Sequence, residues 1–491
     1  MVIGFAAPIA MPLPNFYHHI HRTLHQQAEQ VLLVWPGGAS AGHSTSYTGH
    51  DLGLRIAAYQ HLLRGQGVQS GQPVLLALPV GAELICGLLA IMSLGAVPVL
   101  PPAGTSAVGL LKLLKLLRRN GVGAALVPSK GARRYGWLAR GLGLRLFGAP
   151  KNVGTNELLL PQAVPATQPA LVSHSSGSTG QAKAIRRSHA VLTAQHQVLK
   201  QVFPPWQGQR DFPLFPNILL HNLSVGAVSV LPDVPWGQLA KLEPARVVQQ
   251  LQATQVETLT GNVFYFAALC GHLEQHPTPL PHVRALGVGG SPVPESLLQR
   301  LRSCFADAEV YVIYGSSEAE PIAVRAAATA PNPRGGYCVG PVQAGLSCRL
   351  QPLGAVELPN GSKYPVGEVC VQGAHVAAEP GAWLHTGDFG YFDAQNQLWL
   401  TGRQGNEAIH LGVQHYQVEH VLHMQAGVER AAARATAAGF DIYYQGTASE
   451  AAVRAALAQH FPAGLCNRVL PRRHLPVDRR HLSKILYDQL R

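Results

Sequence analysis

Short apolar runs punctuate the first 165 residues: Val31 to Trp35, Pro73 to Leu78, Ala96 to Leu100 and Ala124 to Val127. Between them lie stretches with helical spacing, Leu52 to Leu63 and Ser106 to Arg119. Strands alternating with helices in this way predict parallel α/β layering. The most apolar segment, residues 74–101, is cut by Pro79, Gly81 and Glu83 and again at Gly95. That predicts strand, turn, helix and second strand, and no membrane span. Gly154 to Gln168 is polar and Pro-bearing and reads as a connector. The alternation resumes at Pro169 and runs to about Ser303. From Cys304 to about Gly402 short strands with Gly/Pro turns take over, and Arg403 to Arg491 mixes strand and helix. The expected fold class is α/β. A large N-terminal domain of stacked sheets and helices would span 1–402, with a β-rich subdomain at about 304–402, and a small C-terminal α+β lid domain would span 403–491.

Composition narrows the partners. Of 491 residues, 47% are hydrophobic and 13% charged, which excludes a disordered chain. Lys plus Arg outnumber Asp plus Glu by 38 to 26, so the net charge of +12 favours an anionic partner such as a nucleotide. The charge is scattered along the chain, with no long Lys/Arg run and no aromatic interleaving, so no nucleic-acid partner is expected. Seven cysteines from Cys86 to Cys466 form no CxxC pair, which reads as reduced thiols in a cytoplasmic protein without a zinc site. The opening MVIGFAAPIAMPLP lacks a basic stretch and is broken by prolines, so it does not read as a signal peptide. His18, His21 and His25 share one helical face. That face is expected to be solvated, because no carboxylate or Cys completes a metal site.

The densest chemistry lies in Ser173 to Lys183, SHSSGSTGQAK. A short apolar strand, Pro169 to Val172, leads in, and a helix is expected to open near Ser188 as N-cap. Gly177 and Gly180 allow tight turns, Ser175, Ser176, Ser178 and Thr179 offer hydroxyls and N–H groups, and Lys183 adds a cation. Such a loop can wrap a polyphosphate, although it is not the Walker pattern. Four features follow in order. Gly287 to Pro292, GVGGSP, places Gly289 and Gly290 where a flat ring can approach the backbone. In Tyr311 to Glu318, YVIYGSSE, Tyr314 ends a strand beside Gly315 and could stack on a base, and Glu318 could hold magnesium. His385 to Asp388, HTGD, sits at a strand end, where Asp388 can accept hydrogen bonds from two ribose hydroxyls. Thr401 to Arg403, TGR, comes last.

Taken together, these segments resemble the adenylate-forming superfamily of acyl-CoA synthetases, peptide-synthetase adenylation domains and firefly-type luciferases. The resemblance spans nearly the whole chain. SSGSTGQAK is similar to the superfamily's phosphate loop with Ala182 in place of proline, and YGSSE to its YGxTE with Ser317 in place of threonine. TGRQGN is similar to the GRxxD hinge with Asn406 where the aspartate stands, and LPVDRRHLSKIL to the last motif, whose lysine would be Lys484. VLPDVP, YGSSEAEPIAV and LPVDRRHLSKI further resemble the branch that contains the olefin-pathway β-lactone synthetases, although Glu320 interrupts the motif. Pro216 stands where many acyl-CoA synthetases carry a histidine.

The resemblance implies ATP- and Mg²⁺-dependent activation of a carboxylic acid as an acyl-adenylate. ATP would be held by Ser175, Ser176, Gly177, Ser178, Thr179, Gly180, Lys183, Gly289, Gly290, Tyr314, Gly315, Asp388 and Arg403, and the metal by Glu318 and Thr179. Lys484, Glu318 and Thr179 would neutralise charge in the transition state. A carboxylate is a poor electrophile, and attack on the α-phosphate replaces an oxide leaving group with AMP. FPLFPN offers no acid beyond Asp211 to meet an ammonium group, so a fatty acid is expected over an amino acid. The expected second step is thioester formation on CoA or an acyl-carrier protein. The alternative is capture by the substrate's own β-hydroxyl, giving a β-lactone. Ala182, Asn406 and a short tail motivate a third reading, an inactive nucleotide-binding regulator, against which Lys183, Glu318, Asp388, Arg403 and Lys484 all stand.

Overall fold

The Gly49–Gly65 helix starts from a reciprocal cap: Asp51 N–H donates to Thr48 Oγ1 at 3.1 Å, and Thr48 N–H donates to Asp51 Oδ2 at 2.9 Å. Its first residue has to be glycine, because a Cβ there would lie 2.6 Å from the Gln27 carbonyl oxygen. Fully buried Gln60 on this helix donates through Nε2 to Ser93 Oγ and to Leu159 O, and its Oε1 accepts from Leu159 N–H. The polar connector is thereby held down by a satisfied buried amide.

The computed structural model describes residues 15–36, 44–102, 121–141, 143–150, 153–154, 156–176, 182–236, 238–328, 331–478 and 482–490. The expected helix over Ser106 to Arg119 and the apolar opening through Pro14 lie outside the described residues. Two compact units emerge, one from the described residues of Met1–Val31 and Tyr47–Thr193, the other from those of Leu32–Ser46 and Ala194–Arg491.

In the first unit a six-stranded sheet runs in the order Arg145–Gly148, Ala124–Val127, Pro73–Leu76, Val97–Val99, Pro169–Ser176 and Ala182–Ser188. All neighbours are parallel except the last pair. The segment expected as strand, helix, strand forms Pro73–Leu76, Ala82–Ser93 and Val97–Val99. No helix among the described residues is long and apolar enough to cross a membrane. The His18, His21 and His25 face departs from expectation: His21 is only 9% exposed, its Nε2 lies 3.3 Å from that of His25, and its ring meets Tyr17 edge-on. Burial, then His25 and His18, push His21 down to about 4, so it is a neutral core residue.

Among the described residues the second unit holds three sheets. The largest runs Ala319–Ala326, Glu309–Ser316, Ala285–Gly289, Thr258–Asn262, Arg210–Pro213, Val228–Val230, Val31–Trp35 and Thr45–Thr48. An antiparallel five-stranded sheet follows: Tyr337–Gly340, Leu398–Arg403, Leu384–Phe392, Lys363–Gly373 and Leu346–Glu357. The β-rich stretch expected over about 304–402 therefore divides, its first two strands completing the large sheet and the rest building their own. A three-stranded sheet, Val428–Thr436, Gly439–Gly446 and Cys466–Pro471, packs with the helices His415–His423 and Glu450–His460.

The two-unit division does not fall at Gly402. In this conformation the His415–His423 helix is anchored to residues ahead of that point. His420 accepts from Glu295 N–H at Nε2, 3.2 Å, pairs through Nδ1 with Gly336 O, 2.7 Å, and stacks on Tyr337 with ring centroids 4.5 Å apart. That pattern needs the neutral tautomer with its proton on Nδ1, in keeping with burial pushing His420 down to about 3.

Candidate nucleotide site

In the first unit the Ser/Gly-rich segment joins two antiparallel strands, Pro169–Ser176 and Ala182–Ser188, in which Ser175 pairs with Lys183 and Ser176 with Ala182. Sequence pattern led from this loop straight to a helix; the structure inserts a strand first. AKAIRRS carries alternation, with Ile185 and Arg187 buried and Lys183, Ala184 and Arg186 exposed, but its three cations disguise it. The buried Arg187 guanidinium donates through Nη2 to Ser173 Oγ at 2.7 Å. The His189–Val202 helix then opens as expected, with Val191 N–H donating to Ser188 Oγ. Ser175 and Ser176 have described backbones only, Lys183 is exposed, and Gly177, Ser178, Thr179 and Gly180 lie outside the described residues.

The second unit brings Tyr314, Asp388 and Arg403 together. Asp388 and Arg403 are cross-strand partners on Leu384–Phe392 and Leu398–Arg403. Arg403 Nη1 donates to Asp388 Oδ1 at 2.5 Å, and the Tyr314 hydroxyl donates to Oδ2 at 2.9 Å. Asp388 thus lies within its strand rather than at the end. Tyr314, expected as a stacking platform, spends its hydroxyl on orienting that carboxylate. Burial, then Asp388, pushes the Tyr314 phenol well up, and Asp388 holds the Arg403 guanidinium above its usual range. The turn is braced from beneath: Asp388 N–H donates to Thr386 Oγ1, Thr386 Oγ1 donates to Val369 O, and Gly387 N–H donates to Glu368 Oε1.

Glycines line the neighbouring strand ends. A Cβ on Gly289 would come within 2.5 Å of Ile313 O, and one on Gly315 within 2.8 Å of Ala319 O. Gly290 adopts φ +82° beside the Phe215 ring. At Gly289 and Gly315 it is the neighbouring backbone that leaves no room for a side chain, so packing within the sheet already requires glycine there. Glu318 is half-buried in the turn between the strands Glu309–Ser316 and Ala319–Ala326, its carbonyl accepting from Ala377 N–H at 2.7 Å.

Sequence reasoning missed the support behind the site. Arg403 N–H donates to His415 Nε2 at 3.0 Å, and His415 Nδ1 lies 3.1 Å from Glu419 Oε1. Glu419 also accepts from Ala433 N–H and from the Tyr487 hydroxyl at both oxygens. Spacing of four between His415 and Glu419 on a helix was the one legible signal. Asn406 is buried, donating to Ala433 O at 2.9 Å and accepting from Ala435 N–H at 2.8 Å. Lys484 is exposed, and its backbone N–H donates to Asp478 Oδ1. Glu320, which interrupts the motif, accepts from Asn217 Nδ2 at 2.8 Å, so it meets the residue after Pro216.

One donor set was not foreseen. Cys370 and His385 are cross-strand partners, with Glu368 two residues from Cys370, and their ligand atoms all lie within 4.8 Å of one another. The expectation of no zinc site rested on sequence-adjacent cysteines; this trio forms across strands. In the structure His385 Nδ1 meets Glu368 Oε2 at 2.8 Å.

The sequence pattern of the AMP-binding enzyme family matches residues 20–379. The chain belongs to this family of AMP-binding enzymes. It is 28% identical over 537 aligned positions to an olefin beta-lactone synthetase of Stenotrophomonas maltophilia, with 95% of each chain covered. To a 4-chlorobenzoate–CoA ligase of an Arthrobacter species it is 26% identical, covering 81% of this chain and 77% of the relative. Its fold is similar to that of O-succinylbenzoate coenzyme A synthetase from Bacillus subtilis, solved with ATP and magnesium, at a TM-score of 0.76, with 18% identity and coverage of 97% and 99%. This AMP-binding enzyme is an adenylate-forming ligase with the mixed α/β fold of its relatives, resembling both acyl-CoA ligases and β-lactone synthetases.

Proposed function

We propose that this AMP-binding enzyme converts a long-chain β-hydroxy acid to a β-lactone through an acyl-adenylate. The lactone reading draws its support from similarity that runs end to end, 95% of both chains, with an olefin beta-lactone synthetase. For the nucleotide, Asp388 is the supporting observation. A carboxylate offers about four lone-pair positions; Tyr314 and Arg403 each occupy one, which leaves acceptors for two ribose hydroxyls. Lys183 and the hairpin loop, including Thr179, would meet the phosphates.

Magnesium, when bound, would supply positive charge to the phosphate oxygens; Glu318 offers it a carboxylate and Thr179 a hydroxyl, the kinds of oxygen donor it takes. Lys484 would neutralise charge on the α-phosphate as the acid's carboxylate attacks and pyrophosphate leaves. The β-hydroxyl then attacks the activated carbonyl within the same molecule, loses its proton and expels AMP. High effective concentration offsets ring strain. No protein nucleophile is needed, in line with cysteines whose thiols burial holds in the protonated form, Cys86 and Cys270 among them.

A thioester on CoA or a carrier protein is the second reading, favoured by the similarity to a CoA ligase. Incubation with a long-chain β-hydroxy acid and ATP, without CoA, separates the two. Mass spectrometry should find the β-lactone and AMP. Bound adenylate without lactone, converted to acyl-CoA when CoA is added, would replace the lactone reading with the thioester one.

A further inference from the structure

Between Glu83 and Glu157 the sequence has ten Lys/Arg and no acidic residue, so most of the net charge of +12 comes from this one stretch. The charge is therefore not evenly scattered, and ARRYGWLAR within it does interleave cations with aromatics. Five of these cations lie on described residues, and four of the five, Lys130, Arg133, Arg134 and Arg140, are on the Ser129–Gly141 helix. Its inward side carries Ala132, packed beside Gly148, and Ala139, which joins the core with Val122, Ala125 and Leu144. The outward side carries Lys130, Arg133, Arg134, Trp137 and Arg140, all exposed. Trp137 is 75% exposed, and Tyr135 on the flank is 50% exposed, with the Arg134 guanidinium 5.4 Å from its ring centroid.

A helix that serves only the core buries its largest apolar side chain. Here the indole points away from the core, and cations one and two turns apart surround it. Cations alone would suit any polyanion. An indole among them suits an interface, where the ring sits at the level of the headgroups and the cations meet phosphates. We propose that the outward face of the Ser129–Gly141 helix is a docking surface for an anionic lipid bilayer, by charge complementarity with Trp137 as the inserted ring. This needs nothing from the reaction assigned above.

The test is sedimentation of the full chain with vesicles of phosphatidylcholine alone and of phosphatidylcholine with phosphatidylglycerol. Binding is expected only to the anionic vesicles and should weaken as salt rises. Arg133→Glu and Arg134→Glu should each weaken it by at least about fivefold, the effect of one basic residue near such a surface. Trp137→Ser should weaken binding at high salt, where the electrostatic part is screened. Thermal melting and ATP–pyrophosphate exchange check that each variant is folded and active. Equal binding to neutral vesicles, no binding to anionic ones at low salt, or unchanged binding by all three folded variants would overturn the proposal. So would a duplex oligonucleotide that displaces the vesicles from this face at equal phosphate concentration, which would make it a nucleic-acid surface.

Discussion

Asp388 shows how one side chain can be read from sequence in type and misread in setting. Its place in HTGD named the acid, but neither partner was visible, because Tyr314 lies 74 positions away and Arg403 reaches it only through strand register. Under the proposed ribose role, Asp388→Ala removes the acceptor for two hydroxyls and leaves the Tyr314 hydroxyl and Arg403 guanidinium without their shared partner. Nucleotide titration should show ATP affinity reduced by about tenfold or more, since each charge-assisted hydrogen bond contributes about 1.5–3 kcal/mol. Thermal melting should show a folded protein. Unchanged affinity in that folded variant would remove Asp388 from the site.

At the scale of elements, the sequence was most legible where apolar runs were short and uninterrupted. The strands Val31–Trp35, Ala124–Val127 and Val97–Val99 fall where the runs stood. It was least legible at Ala182–Ser188, because strand pairing with Pro169–Ser176 overrides a charged sequence. The turn after Leu398–Arg403 carries a second lesson. Asn406 stands where the hinge motif it resembles has an aspartate, and the structure asks this side chain to donate to Ala433 O and to accept from Ala435 N–H. Only the amide does both. Asn406→Asp sets a carboxylate oxygen against a carbonyl in a buried position. Denaturant unfolding should register a loss of about 1–3 kcal/mol, the cost of an unsatisfied buried polar group. A variant as stable as the parent would mean that the turn has a second resting place for the side chain.

Across the whole molecule, buried histidines set the response to acid. Burial holds His21, His189 and His221 down at about 4 and His420 at about 3, against 6.5 for the free side chain. Unfolded chain takes up protons at these positions below about pH 6.5 while the folded protein does not. Their contribution to stability is therefore complete above 6.5 and is lost as pH falls towards 4 and below. Burial also lowers His18, His375 and His423. Asp211, raised to about 6, and Glu295, also raised, work in the opposite direction, again through burial, but they are outnumbered by the histidines. The melting temperature should fall from pH 7 to pH 4.5, and His420→Gln, which cannot take a proton, should flatten part of that fall; a variant with the parent's slope would remove His420 from the cause. None of this could be read from spacing, since the partners that bury these rings come from distant segments. The run from Asp388 through Arg403, His415 and Glu419 to Ala433 and Tyr487 crosses two sheets and a helix in the same unit. Two of its links are backbone amides, those of Arg403 and Ala433, so their exchange with deuterated water reports on the tightness of the whole run. Ligand that fixes Asp388 should slow deuterium uptake at Arg403 first and at Ala433 to a smaller degree, carrying the nucleotide's footprint from the sheet of Asp388 into the sheet of Ala433.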